Sequence, residues 1–303
     1  MAPRKKEYRE RLISLSNSFD VYMREQEEEL IRKAGKGENL SLQAAILPME
    51  DGIKKISADV GIYIGKGGIL SPTAEYEIRK AFDEDPGIGL LYSDEDAVYV
   101  TDAKWEMMKK KGVPVSERTA PRLKPIYSPE TLISYFYPGN ILAIRTETLE
   151  GLGYTAGESV YSFLLRNLYF FTEENTMHLP LLLLHVPKKE GEEGVEFDEG
   201  NPSEKERILN ALGVKVHFEE SRYKPEYLSK EDANRLYPVY DVEEEHLLSV
   251  VIPSKDNPEV LFRCVESVRE AETKLPLEII VVDNGSGEAN RRRIEEAKER
   301  LGF

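Results

Sequence analysis

A single cysteine, Cys264, stands in 303 residues, so no intrachain disulfide can form. That fits a reducing compartment. Long apolar runs are missing as well. The longest, LPLLLLHV at 179–186, falls far short of the roughly 20 residues that span a bilayer. The N-terminus, MAPRKKEYRERL, is basic but has no apolar stretch behind it, so it does not resemble a secretory signal. Excess positive charge is also absent: the formal net charge is −15. A generally acidic surface argues against a nucleic-acid partner, whose footprint is basic, yet leaves room for an anionic nucleotide in one local pocket. These absences predict a cytoplasmic chain with no transmembrane segment and no nucleic-acid partner.

What is present suffices for a core, since 40% of the residues are hydrophobic. The length allows one large or two medium domains, at roughly 100–200 residues each. Residues 4–35 predict an amphipathic, heavily charged helix that ends at Gly35. From Leu40 the texture becomes α/β. GIKKIS (52–57) predicts a short helix. Strands are expected at 59–64, 88–93 and 140–145 in one mixed sheet, with helices at 72–83 and 129–135 against it. Ser71 and Pro72 suit the N-cap and first turn of the first of these helices, and Ser128-Pro129 the start of the second. Residues 188–204 are Gly-rich and acidic and predict a loop or linker. A helix (202–212), a strand near VKVHF and an irregular stretch follow. The expected division is an N-terminal helical segment at 1–39, a domain at 40–190, a linker region at 191–246 and a C-terminal module at 247–303.

That module is the clearest part. HLLSVVIP and LEIIVVD are continuous apolar runs, the mark of buried strands. Between them, Asp256 and Asn257 precede Pro258 as a helix start, and Leu261, Val265 and Val268 share one helix face. Two such strands joined by a helix within about 30 residues predict a parallel βαβ unit with Asp283 at a strand's carboxyl end. NRRRIEEAKERL opens another helix, with Arg291–Glu295, Arg292–Glu296 and Glu296–Arg300 at i,i+4. Ligands of open α/β sheets bind beyond the carboxyl ends of the strands. Those ends are Ser254-Lys255-Asp256 and Asp283-Asn284-Gly285-Ser286. Singly, such residues build turns; at both strand ends of one βαβ they point to a ligand site. A dinucleotide fingerprint is excluded: Gly285-Ser286-Gly287 leads to Asn290 where glycine is wanted, and it follows the second strand rather than the first.

IPSKDNPEVLFRCVESV followed by EIIVVDNGS resembles the opening of family 2 glycosyltransferases of the GT-A fold. The resemblance implies that Pro253 to Asp256 and Asp283-Asn284 hold the nucleotide of a sugar donor. Ser254, Lys255, Asp256, Asp283 and Asn284 become the candidate binding residues. Asn284 replaces a frequent aspartate, and its amide oxygen can still accept from uracil N3–H; Lys255 stands where a stacking tyrosine is common. The middle of the chain, LLYSDEDAVYV and then LKPIYSPETLISYFYPGNILAIRTETLEGLG, is similar to the later half of the same fold in tandem-domain members, some linked to rhamnose-rich polysaccharides. On this resemblance residues 40–190 correspond to the end of a first GT-A domain and 247–303 to the start of a second. The chain is then a C-terminally truncated fragment that stops in mid-helix at Phe303.

The family resemblance also implies Mg²⁺ or Mn²⁺ on a D-x-D motif to neutralise the departing diphosphate of a UDP- or dTDP-sugar, and a carboxylate base for the acceptor hydroxyl. Here DVGIYIGKGGIL places Gly65-Lys66-Gly67-Gly68 at the metal motif. Ser159 takes the place of the base, with Glu158 the nearest carboxylate and the candidate catalytic residue. Asp94 and Asp96 of the Asp94-Glu95-Asp96 run, with His185, are the candidate metal ligands; such a run is otherwise a solvated turn. The first domain is therefore expected to be a noncatalytic remnant. The partners implied are a nucleotide-sugar donor, a glycan or lipid-linked glycan acceptor, and a glycan-assembly complex at the inner face of the membrane. The expected reaction is an inverting displacement. The alternatives are a permuted single GT-A site, or a noncatalytic scaffold or glycan-binding module.

Overall fold

The computed structural model describes residues 22–23, 25–33, 40–65, 67–111, 118–189, 200–220, 236–241, 246–271, 273 and 275–303. The chain divides into two units, Met1–Val239 and Tyr240–Phe303. In the first, a helical stretch at 25–33 (α1) precedes β1 (Ala44–Pro48), β2 (Val60–Ile64), β3 (Ile69–Leu70), α2 (Ala74–Glu84), β4 (Leu90–Tyr99), α3 (Asp102–Lys111), β5 (Arg118–Arg122), α4 (Pro129–Ser134), β6 (Ile141–Arg145), α5 (Thr146–Leu152), α6 (Val160–Arg166) and β7 (Thr176–Lys188). Then come α7 (Pro202–Ala211), β8 (Val216–Glu220) and β9 (Leu236–Tyr240).

The expected mixed sheet is present, in the order β1-β2-β6-β4-β7-β3. β1 runs parallel to β2, and β4 to β7, while β6 is antiparallel to both its neighbours. β5 lies antiparallel beside the C-terminal half of β4. Side chains alternate across the strands. Tyr63, Leu90, Tyr92, Leu142 and Ile144 face α4, α6 and α7, whereas Val60, Ile62, Leu91, Ile141 and Ala143 face Ala74, Ile78, Ala81 and Phe82 of α2. The result is helices on both faces of a mixed sheet, the α/β architecture expected of a GT-A-like fold.

Several local expectations need correction. GIKKIS is not helical; a single 3₁₀ turn, Met49–Asp51, precedes it. Helix α2 begins at Ala74 with Thr73 as N-cap and no side-chain cap. Ser71 is drawn instead to the sheet, its N–H donating to Leu183 O at 2.9 Å. Ser128 does cap α4, accepting from Thr131 N. The stretch expected to be irregular contains β9, which pairs with β8. Most of the helix expected at 4–35 lies outside the described residues, as does 190–199 of the acidic linker.

The second unit is the parallel βαβ that the sequence predicts. β10 (Leu248–Ser254) pairs in parallel with β11 (Leu277–Asp283), in a register that sets Ser254 opposite Asp283. The connection is α8 (Pro258–Glu270), and α9 (Glu288–Leu301) follows. Leu261 and Val265 of α8 pack with Ile279, Ile294, Ala297 and Leu301. The arginines of α9 reach beyond their own helix: Arg293 meets Glu259 of α8 at 2.7 Å and Arg300 meets Glu266 at 3.8 Å. The helix does not stop midway. It closes after Leu301 on Gly302, a left-handed C-cap at φ 70° whose N–H donates to Lys298 O.

Candidate functional site

The two strand ends of the second unit form one hydrogen-bonded frame. Asn284 N–H donates to Ser254 O at 2.8 Å. Asp283 Oδ1 accepts from Ser286 N (3.1 Å) and from Ser286 Oγ (2.5 Å), and Arg291 Nε lies 3.6 Å from its Oδ2. Asp256 Oδ1 accepts from Gly287 N (2.6 Å) and Asn290 Nδ2 (3.2 Å). Asp256 N–H in turn donates to Ser286 Oγ at 2.8 Å. These bonds to the ionised form hold both carboxyls below the usual range: chiefly the Gly287 amide for Asp256, and the Ser286 hydroxyl for Asp283. All five candidate binding residues are thus brought to one edge. Asp256 and Asp283 are engaged with protein donors there, while Lys255 and Asn284 are exposed beside them.

The acidic run of the first unit sits inside β4, not in a solvated turn. Asp94, Glu95 and Asp96 are 2–4% exposed. Burial of three carboxylates is costly unless each is paired and hydrogen-bonded, and each is. Asp94 Oδ1 meets His178 Nε2 at 2.8 Å and accepts from Lys124 N at 2.8 Å. Glu95, on the opposite face of the strand, meets Lys124 Nζ at 3.1 Å and Arg122 Nη1 at 3.2 Å, and accepts from Asn140 N at 2.8 Å. Burial alone would raise its pKa, but Lys124, Arg122 and Asn140 outweigh that and hold it below the usual value. Asp96 meets Arg118 Nε at 2.7 Å and His185 Nδ1 at 2.6 Å. The structure therefore joins Asp96 to His185, its partner across β7, as an ion-paired dyad. Burial disfavours the imidazolium, yet the hydrogen bond that its ring makes to the Asp96 carboxylate, with the Glu27 carboxylate 3.9 Å from Nε2, prevails and raises the pKa of His185.

Glu158 is held by Arg166, Oε1 to Nε and Oε2 to Nη2, both at 3.0 Å, and accepts from Thr155 N at 3.2 Å. Ser159 is the N-cap of α6; it accepts from Ser162 N at 3.0 Å and donates to Ser162 Oγ at 2.8 Å. Both side chains are engaged with protein partners. At the 65–68 loop a Cβ on Gly65 would lie 2.8 Å from Asn140 Oδ1, and one on Gly68 would lie 2.8 Å from Leu184 Cδ1. Trp105 of α3 covers the loop, its Nε1–H donating to Gly67 O at 3.2 Å. Lys66 lies outside the described residues.

Comparison with known proteins bears directly on the strand-end frame. Residues 249–301 match the family described as glycosyl transferase family 2. Over 244 residues, 78% of the chain, the sequence is 28% identical to the O-antigen biosynthesis protein RfbC of Myxococcus xanthus. The match spans 17% of that protein, so the chain covers under a fifth of the length of this curated relative.

Family 2 members often use a divalent metal, but the residues at the 65–68 loop do not fit one. Glycines seated against Asn140 and Leu184 leave no room there for a carboxylate. Among the described residues no group of three or more His, Cys, Asp or Glu is placed to hold a metal ion. No helix among them is long and apolar enough to cross a membrane. Sequence reasoning placed Ser286 at a strand end without giving it a role, and missed Asn290 and Arg291 beside it and Arg118, Arg122, Lys124 and His178 around β4. The signal for the latter was the cluster of basic residues in RTAPRLK (118–124), a match in number for the carboxylates of β4.

Proposed function

We propose that the chain is part of a glycosyltransferase that moves a sugar from a nucleotide-sugar donor to a glycan acceptor in polysaccharide assembly, and that its second unit holds the nucleoside. The observation that carries this is the coincidence of the family 2 match with two parallel strand ends that bring Ser254, Lys255, Asp256, Asp283 and Asn284 together. In this reading Lys255 offers a cation to the donor, and the Asn284 amide offers an oxygen to a pyrimidine N3–H. The displacement is inverting: an acceptor oxygen bonds to the anomeric carbon as the bond to the nucleoside diphosphate breaks. A glycan or lipid-linked glycan acceptor, and a place beside a glycan-assembly complex at the cytoplasmic face of the membrane, belong to the same proposal.

The first unit is proposed to be a noncatalytic remnant of the same fold. Three features support this: the packed glycines at 65 and 68, the Glu158–Arg166 pair, and the capping role of Ser159. Those features also favour a second reading, in which the unit is a scaffold that positions a partner transferase. The test is a titration of the chain with UDP- and dTDP-sugars plus Mn²⁺, with release of nucleoside diphosphate followed in parallel. Binding without turnover is expected. Turnover well above background, abolished by E158A or D94A, refutes the remnant reading.

A further inference from the structure

Ser286 makes no exposed surface for a ligand, being 4% exposed, yet its hydroxyl is the joint between the two strand-end loops. A hydroxyl has one proton to give and can accept as well. Here it gives the proton to Asp283 Oδ1 (2.5 Å) and accepts from Asp256 N–H (2.8 Å). Asp256 sits at φ 50°, a left-handed conformation that non-glycine residues adopt rarely and keep when their surroundings over-determine it. The surroundings do so. Its N–H is held by Ser286, and its Oδ1 is held by Gly287 N and Asn290 Nδ2. Lys255 lies immediately before this pinned residue and Asn284 immediately after Asp283, so the clasp sets the separation of the two exposed side chains.

We infer that Ser286 and Asp256 are positioning residues for nucleotide capture: they clamp the two loops so that Lys255 and Asn284 meet the nucleoside diphosphate without rearrangement. The inference rests on the nucleotide-site reading above. A preorganised site binds more tightly because less ordering is left to do on binding. Loss of the Ser286 hydroxyl therefore weakens binding with no ligand contact removed.

Isothermal titration of the full chain with UDP tests this. S286A is expected to weaken UDP binding about tenfold at a temperature where circular dichroism shows the fold intact. S286T, which keeps the hydroxyl, is expected to restore it. D256A cuts the clasp from the other side and is expected to weaken binding similarly, whereas D256N, whose amide oxygen still accepts from Gly287 N, is not. A second readout separates positioning from mere stability. The entropy of UDP binding is expected to be less favourable in S286A, because the unclamped loops must then be ordered on binding, and to return in S286T. Wild-type affinity in folded S286A overturns the inference while K255A and N284A still weaken binding and uphold the site. Should S286A not fold, D256A decides alone, and unchanged affinity overturns the inference. A folded wild type that binds neither UDP nor dTDP overturns both the site and the clamp.

Discussion

Replacing Lys124 by methionine removes the charge at the centre of the first unit while nearly conserving its volume, so the cost measures electrostatics rather than a cavity. The Lys124 side chain is 1% exposed, and its Nζ serves Ser93 O and Pro138 O at 2.5 Å each and Glu95 Oε2 at 3.1 Å. Breaking one partner out of a buried ion pair costs about 3–5 kcal/mol. Glu95 keeps Arg122 and the two Asn140 donors, which argues for the lower end. Each carbonyl left without its donor adds about 1 kcal/mol. A total of about 5 kcal/mol corresponds to a Tm decrease of roughly 10–20 °C at about 2–4 °C per kcal/mol for a unit of this size. The assay is simple because the chain has one tryptophan, and Trp105, 3% exposed, lies in the first unit, so its fluorescence follows that unit alone. Combining K124M with E95Q is expected to cost at least about 1 kcal/mol less than the sum of the two, since the residues share one network. A K124M protein that melts within about 2 °C of wild type refutes the reasoning. So does one that Mn²⁺ restores, because the acidic strand would then be a metal site rather than a set of matched ion pairs.

Putting an aspartate at Gly68 is expected to destabilise the first unit by about 1–3 kcal/mol through overpacking alone, because its Cβ would meet Leu184, a residue 0% exposed; thermal unfolding with and without Mn²⁺ checks this, and a metal-dependent rise in Tm would contradict it. E158A is expected to lower stability by only about 1 kcal/mol, since Arg166 is 38% exposed and solvent screens the pair, and to leave UDP binding untouched; a lost activity in this variant would speak for Glu158 as a base. Glu95, whose pKa is depressed by the fold, contributes stability that is fully present above the ordinary carboxylate pKa and lost as pH falls through its lower folded value. Chemical denaturation across acid pH is expected to show that loss in wild type and a shallower one in E95Q.

The second unit was legible from sequence because its information is local. Two continuous apolar runs, a proline-led amphipathic helix and the Asp-Asn-Gly-Ser turn all lie within 246–286, and a parallel crossover follows from them with little choice of topology. The strand and helix alternation of 59–145 was legible for the same reason: apolar periodicity is a property of neighbouring residues. What only the tertiary structure decided was the state of the charged side chains. Asp94-Glu95-Asp96 has the composition of a solvated turn, and the partners that let it be buried come from β5, from the segment after it and from β7, tens of residues away. The same holds for Glu158, which pairs with Arg166 at the far end of α6, and for Ser286, whose hydroxyl gains its meaning from Asp256, 30 residues earlier. Local sequence determines which residues alternate and where turns fall. Whether a carboxylate is free to do chemistry depends on which donors the folded chain brings within about 3 Å, and no local pattern records that distance.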